Sequence, residues 1–187
     1  GDGSSAADMS GWDLTSLTVT PPADSDANFD LTVTATATEG DGGDTATTFG
    51  TITVNVDADA DAPTLNVADV AGLEDSAIAL NITAEVTDDS ESISGITITG
   101  VPEGAVLSAG TSSVVDGVTT WTLSEADLPG LTVTPPANSD ADFDLSVSVT
   151  STDGTSSSTT TDQMTVDVSG VADAPTVTAT DVTGAED

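Results

Sequence analysis

The chain has 187 residues, of which 33 are Asp or Glu and none is Lys, Arg or His, giving a formal net charge of −33. With no His base, no Lys or Cys nucleophile, no Tyr hydroxyl and no Arg clamp, it lacks the groups from which most catalytic sites are built. Nucleic acid and anionic membrane surfaces would repel it, so counter-charge has to come from solution, with bound divalent cations the obvious source. Hydrophobic residues make up 36% of the chain, enough for a core, but only three Phe and two Trp are present. That core must therefore be mostly Val, Leu, Ile and Ala. Cysteine is absent, so disulfides play no part, and no apolar run approaches the ~20 residues needed to span a bilayer.

Taken in order, residues 1–61 open in mid-pattern, as if part of something longer, with Trp12, the motif LTVTPP at 17–22, the acids Asp24 and Asp26, and the alternating run LTVTATAT at 31–38. They close on an acidic linker, VDADADAP, which contributes Asp57, Asp59 and Asp61. Residues 62–173 repeat this plan in full. LTVTPP returns at 131–136, an offset of 131 − 17 = 114, PPADSDANFDLTV returns as PPANSDADFDLSV, and the segment 59–75 (DADAPTLNVADVAGLED) returns at 171–187 as VADAPTVTATDVTGAED. Residues 174–187 are thus expected to be the first strand of a third repeat. A repeat of about 112 residues suits one small sandwich domain.

Within the complete repeat the apolar residues recur with period two, at 77–86 (AIALNITAEV), 93–99 (ISGITIT), 143–149 (FDLSVSV) and 164–168 (MTVDV). These predict half-buried antiparallel strands. Asp116-Gly117, Pro129-Gly130, Pro135-Pro136 and Asp153-Gly154 punctuate them at the spacing of a sandwich, no stretch has helical periodicity, and 124–128 (SEADL) is expected to form one capped turn. Whether 121–134 is one bent strand or two is open at this point. The fold class expected is all-β: tandem Greek-key sandwiches, immunoglobulin-like or cadherin-like, joined end to end.

In such a sandwich alternate loops gather at each pole. Asp88, Asp89 and Glu91, at the exit of the second strand, are expected to meet Asp153 of the last hairpin, the linker acids Asp57, Asp59 and Asp61, and Asp24 and Asp26 of the preceding repeat. A second junction would collect Glu74, Asp75, Asp140, Asp142 and Asp173, with its remaining ligands beyond Asp187. A hard cation taking six to eight oxygens, Ca²⁺, fits such clusters. The plain alternative is solvated loop acids, since Asp favours turns by bonding its own backbone. The run DSDANFD lacks the Gly and Glu of an EF-hand loop. Trp12 and Trp121 are expected in the core rather than as sugar-stacking platforms.

The run FDLSVSVTSTDG followed by MTVDVSGVADAP resembles the cadherin-repeat pattern, and the whole chain is similar to the cadherin-like or immunoglobulin-like extender repeats of giant bacterial adhesins exported by type I secretion. The resemblance implies domains stacked end to end, with Ca²⁺ stiffening each linker. It matches Glu74 to the acid between the first two strands, Asp140 and Asp142 to those before the penultimate long strand, Asp88 to the loop after the second strand and Asp153 to the hairpin acid. Two departures are Ala60, where cadherin linkers carry a strong Asp ligand, and the second linker, SGVADAP, which retains only Asp173. The function expected is a non-enzymatic, extracellular extender of a bacterial cell-surface adhesin, rigidified by Ca²⁺ and contacting neighbouring repeats of its own chain. The alternatives are a self-assembling surface-layer, sheath or filament subunit acting through other copies of itself, and a carbohydrate-binding module.

Overall fold

A computed structural model describes residues 6–186. Residues 1–5 of the first repeat and Asp187 of the third lie outside the described residues. The chain divides into two units, one through Ala58 and one from Asp59. All regular structure among the described residues is β, apart from one 3₁₀ turn.

The first unit is built on one hairpin, β1 (Phe29–Thr38) with β2 (Thr45–Val54), paired antiparallel over ten residues. The period-two sequence gives it one apolar face, where Phe29 lies opposite Val54, Leu31 opposite Ile52 and Ala37 opposite Ala46. The other face is largely threonine, with Thr36 bonding Thr47 across the strands. A lone pair of strands has nothing to lay over its apolar face. Accordingly Leu31 and Ile52 remain 36% and 54% exposed. Trp12 is also exposed, which corrects its expected place in a core: among the described residues the unit has no second layer to bury it.

The second unit holds β3 (Thr64–Ala68), β4 (Val70–Leu73), β5 (Ile78–Ala79), β6 (Asn81–Glu85), β7 (Ser92–Thr99), β8 (Val106–Leu107), β9 (Thr111–Val115), β10 (Val118–Leu123), β11 (Thr132–Thr134), β12 (Phe143–Asp153) and β13 (Ser156–Ser169). One sheet has the order β4-β13-β12-β7-β10-β9, with β4 parallel to β13 and the other pairings antiparallel. Facing it are β5-β11-β8 and the pair β3-β6. The strand expected over 77–86 is split at Leu80, whose N–H leaves the ladder to bond Leu131 O at 2.9 Å. Residues 121–134 form two strands, β10 and β11, separated by the 3₁₀ turn Glu125–Asp127. Ser124 starts that turn: its N–H and hydroxyl donate to Asp127 Oδ2 at 2.8 and 2.7 Å and hold the Asp127 carboxyl below its ordinary value.

Inward-facing residues of both sets form one core: Ile96, Ile98, Leu145, Val147, Val149, Met164 and Val166 from the six-stranded sheet, Ile78, Ile82, Leu107 and Val133 from the facing strands. The arrangement is consistent with a β-sandwich. Trp121 is buried in this core with its indole N–H unpaired. Gly100, at φ +87°, is required because a Cβ there would fall 2.2 Å from Asp144 O. Residues 170–186 form no strand, and Val177 and Val182 are 85% and 90% exposed.

Leu31 and Leu145 occupy the same place in the repeat, since 145 − 31 = 114, but only Leu145 is buried. Chemical denaturation should show Leu145→Ala costing the second unit about 2–5 kcal/mol, while Leu31→Ala costs less than about 1 kcal/mol. Equal losses would show that the first hairpin is covered in solution.

Candidate metal centre

Three segments of the second unit meet at one pole: the chain leading into β3, the β6–β7 loop and the β12–β13 turn. The organiser is Glu91, 8% exposed at the start of β7. Its Oε1 accepts the backbone N–H of Asp61 and its Oε2 that of Thr87, at 3.1 Å. One carboxylate therefore fastens the incoming linker to the loop. The fully buried Ser151 of β12 adds a second tie, donating its hydroxyl to Asp61 O at 2.6 Å. Thr87 Oγ1 reaches Ala62 O and Thr160 Oγ1 reaches Pro63 O, so the linker is held along its length.

These ties bring acids together with no cationic side chain among them. Carboxylate oxygens of Asp61 and Asp88 lie within 4.8 Å of each other. Asp88 accepts the Ser90 hydroxyl at 2.5 Å and the Ser90 N–H at 2.7 Å, bonds that hold its carboxyl below the ordinary value and keep it charged. The same Ser90 hydroxyl lies 3.5 Å from Oδ2 of Asp153, which is 8% exposed. Asp59 accepts the Ser156 hydroxyl at 3.3 Å beside the β12–β13 turn, while Asp89 stands exposed in the loop. Asp59, Asp61, Asp88, Glu91 and Asp153 are thus one connected group. A carboxylate has about four acceptor positions, and the bonds named here use one or two of them at Asp59, Asp88 and Glu91, so oxygen lone pairs remain. Such hard oxygens fit Ca²⁺ and would suit a soft metal poorly.

The opposite pole carries a second, looser group. Glu74, 9% exposed, accepts the Val171 N–H at 2.7 Å. Asp142 accepts the Val168 N–H at 2.8 Å, and Asp75, at φ +57°, accepts the Asn138 N–H at 3.0 Å. Asp140 Oδ2 and Glu74 Oε1 both approach Gly170, lying 3.4 and 3.5 Å from where its Cβ would be. Asp173 is exposed in the segment without strands. Asp24, Asp26 and Asp57 belong to the first unit, where all three are exposed and Asp24 has φ +55°.

Sequence reasoning found these acids through loop position and spacing. It missed Ser90, Ser151, Ser156 and Thr87, whose hydroxyls or N–H groups hold the group together. Ser and Thr are frequent throughout the sequence, so nothing in the pattern distinguished those four. No protein-family model matches the chain, and no curated protein matches it.

Glu91→Ala leaves the Asp61 and Thr87 N–H groups without their carboxylate. The second unit should lose about 2–4 kcal/mol in urea unfolding, and both amides should exchange faster with solvent. An unchanged unfolding midpoint would show that this carboxylate does not secure the linker.

Proposed function

We propose that this chain is a non-enzymatic structural module: extender repeats of an extracellular, bacterial cell-surface adhesin, in which Ca²⁺ bound by the pole acids fixes the linker. The observation that carries the reading is the convergence of Asp59, Asp61, Asp88, Glu91 and Asp153 on one pole, with no cation anywhere in the sequence to neutralise them. Closely spaced like charges repel, and that repulsion is relieved when a divalent ion is shared among them. Because Asp59 and Asp61 sit on the linker while the others sit on the body of the domain, an ion held by both sets would tie the linker down.

Several features support a spacer rather than an enzyme. At Asp8, Asp13, Asp88 and Asp127 the carboxyl is held below its ordinary value by hydrogen bonds from Ser or Thr. A general acid at neutral pH needs the opposite. Trp121 lies in the core, so stacking on a sugar is not open to it. The outward faces of the long strands are Thr, Ser and Asp, a surface that resists sticking to its neighbours. Acidic extracellular repeats meet Ca²⁺ at millimolar levels outside the cell, where the ion is in supply and the screening of the remaining charge is strong. The end-to-end stacking of sandwich repeats belongs to the same reading and rests on the duplicated sequence.

Ca²⁺ should raise the unfolding temperature, with a gain of about 2.7 kcal/mol when free ion is a hundredfold above its dissociation constant. Mg²⁺, which dehydrates reluctantly and prefers six-coordinate geometry, should do far less. In the double variant Asp88→Asn, Asp153→Asn the Ca²⁺ response should vanish while the fold in chelator is retained. Calorimetric titration that finds no heat and no stabilisation with Ca²⁺ in the unaltered chain would end this reading. Small-angle scattering in chelator and in Ca²⁺ at constant ionic strength then reports whether the bound ion stiffens a monomer.

A further inference from the structure

The sheet edges of the second unit are protected unequally. β3 begins behind Pro63 and ends at Asp69, β4 lies between Asp69 and Glu74, and β8 is only two residues long. Proline, charge and shortness are the ordinary means of keeping an edge from pairing with another chain. β9, last in the order β4-β13-β12-β7-β10-β9, uses neither of the first two and is longer: five residues, TSSVV, with no break in their register against β10. Among the described residues β10 is its one partner in the sheet, and its place at the edge follows from the order of strands inside 64–169.

The flank around β9 is also poor in charge. Residues 104–124 hold one acid, Asp116, in 124 − 103 = 21 positions, where the chain's average of 33 in 187 would place about four. Among the described residues between β3 and β13, the exposed large hydrophobics are Leu73, Val106, Val114 and Val118, and three of these four belong to β8, β9 and β10. Val114, on β9 itself, is 70% exposed. An uncharged strip with apolar side chains is the one kind of surface on which two such acidic molecules can meet without bringing carboxylates together.

Turn geometry decides which backbone groups point outward. Asp116 and Gly117, at φ +51° and +81°, make the two-residue turn between β9 and β10. The pair flanking such a turn, Val115 with Val118, exchanges its backbone hydrogen bonds. Alternation along the ladder then aims the N–H and C=O of Ser113 at β10 and those of Ser112 and Val114 away from it. We propose that β9 pairs antiparallel with β9 of a second copy about a two-fold axis at Ser113. Ser112 of each copy exchanges both backbone bonds with Val114 of the other, and Ser113 meets its own counterpart. A register shifted by two would set Ser112 against the turn residue Asp116, or Val114 against Gly110 at φ +87°, neither of them extended. In the proposed register Asp116 stands opposite Gly110, so the two Asp116 turns are six residues apart, roughly 20 Å, or about two Debye lengths at 0.1 M salt. The rest of each molecule still repels the other, and so short an edge buries less than the ~1,200 Å² of a standard interface, so the dimer is weak and strengthens with salt. None of the pole acids lies on β9, and the inference stands apart from the Ca²⁺ reading.

Because the sequence has no cysteine, a single introduced one reports the two-fold axis. At a non-hydrogen-bonded antiparallel pair the Cα atoms are about 4.5 Å apart, within reach of a disulfide. Ser113→Cys, oxidised in chelator and high NaCl, should give at least about tenfold more disulfide-linked dimer than Thr111→Cys, whose counterparts would lie four residues, roughly 13 Å, apart. By light scattering, the unaltered chain should rise from its 18.3 kDa monomer mass toward twice that value as concentration and salt increase. Val114→Asp places a charge in the strip and should hold the chain at monomer mass, with its urea midpoint unchanged because Val114 is exposed. Equal disulfide yields from the two cysteine variants, a monomer mass up to about 1 mM chain, or a dimer untouched by Val114→Asp would each overturn the proposal.

Discussion

With no cationic side chain anywhere in the sequence, each carboxylate has only backbone N–H groups, hydroxyls, a few amide and indole N–H groups, water and dissolved ions to turn to. The fold uses that restriction. Glu91 joins two segments by taking one N–H on each oxygen, Glu74 takes the Val171 N–H, and Asp69, Asp75 and Asp142 each cap a backbone donor that no ladder reaches. Such charge-assisted bonds are stronger than neutral ones and leave lone pairs unspent. The acids are therefore structural clamps first, and the oxygens left over face one another at the poles. Their mutual repulsion is the cost of this arrangement, and a shared cation or strong screening offsets it.

The comparison between β1–β2 and β12–β13 separates what local pairing supplies from what packing supplies. Both hairpins have the same alternation, the same register and the same Thr-to-Asp side-chain bond. Among the described residues, only in the second does a facing layer, carrying Ile78, Leu80, Ile82, Leu131 and Val133, cover the apolar side and drive Leu145, Val147 and Met164 to near-zero exposure. The ladder determines which side chains share a face. Whether that face stabilises anything depends on strands remote in sequence, which is why stability should be concentrated in the second unit.

Much of this was legible from residue pattern alone. Period-two runs located the strands around 93–99, 143–149 and 164–168, because alternation is a local property of a half-buried strand. The duplicated segments told which hairpins were equivalent, and the Asp153-Gly154 pair marked the turn between β12 and β13. Other features depended on tertiary contacts. The break at Leu80 arises because its N–H bonds Leu131, 131 − 80 = 51 residues away in sequence, and nothing around AIALNITAEV announces it. Trp12 matched Trp121 in the repeated sequence but among the described residues has no layer to bury it. For the acid group, positions along loops identified the carboxylates, while the serines that gather them were hidden in a sequence where Ser and Thr occupy most outward strand positions.

Charge also bears on how so much open strand edge is tolerated. An unpaired edge beside an apolar face ordinarily invites indiscriminate pairing, and proteins blunt such edges with charged side chains. Here the protection is diffuse: 33 negative charges with no positive one make nearly every approach of two copies repulsive beyond contact. Repulsion of that kind falls within about 10 Å at moderate salt, whereas strand pairing acts only at contact. The two effects therefore work at different ranges. Long-range charge suppresses chance encounters of any register, while the pairings inside the second unit, β12 with β13 and β13 with β4, are made at contact and are little affected by it. In this chain the absence of cations thus shapes the poles, where acids crowd, and equally sets the terms on which its edges can be used.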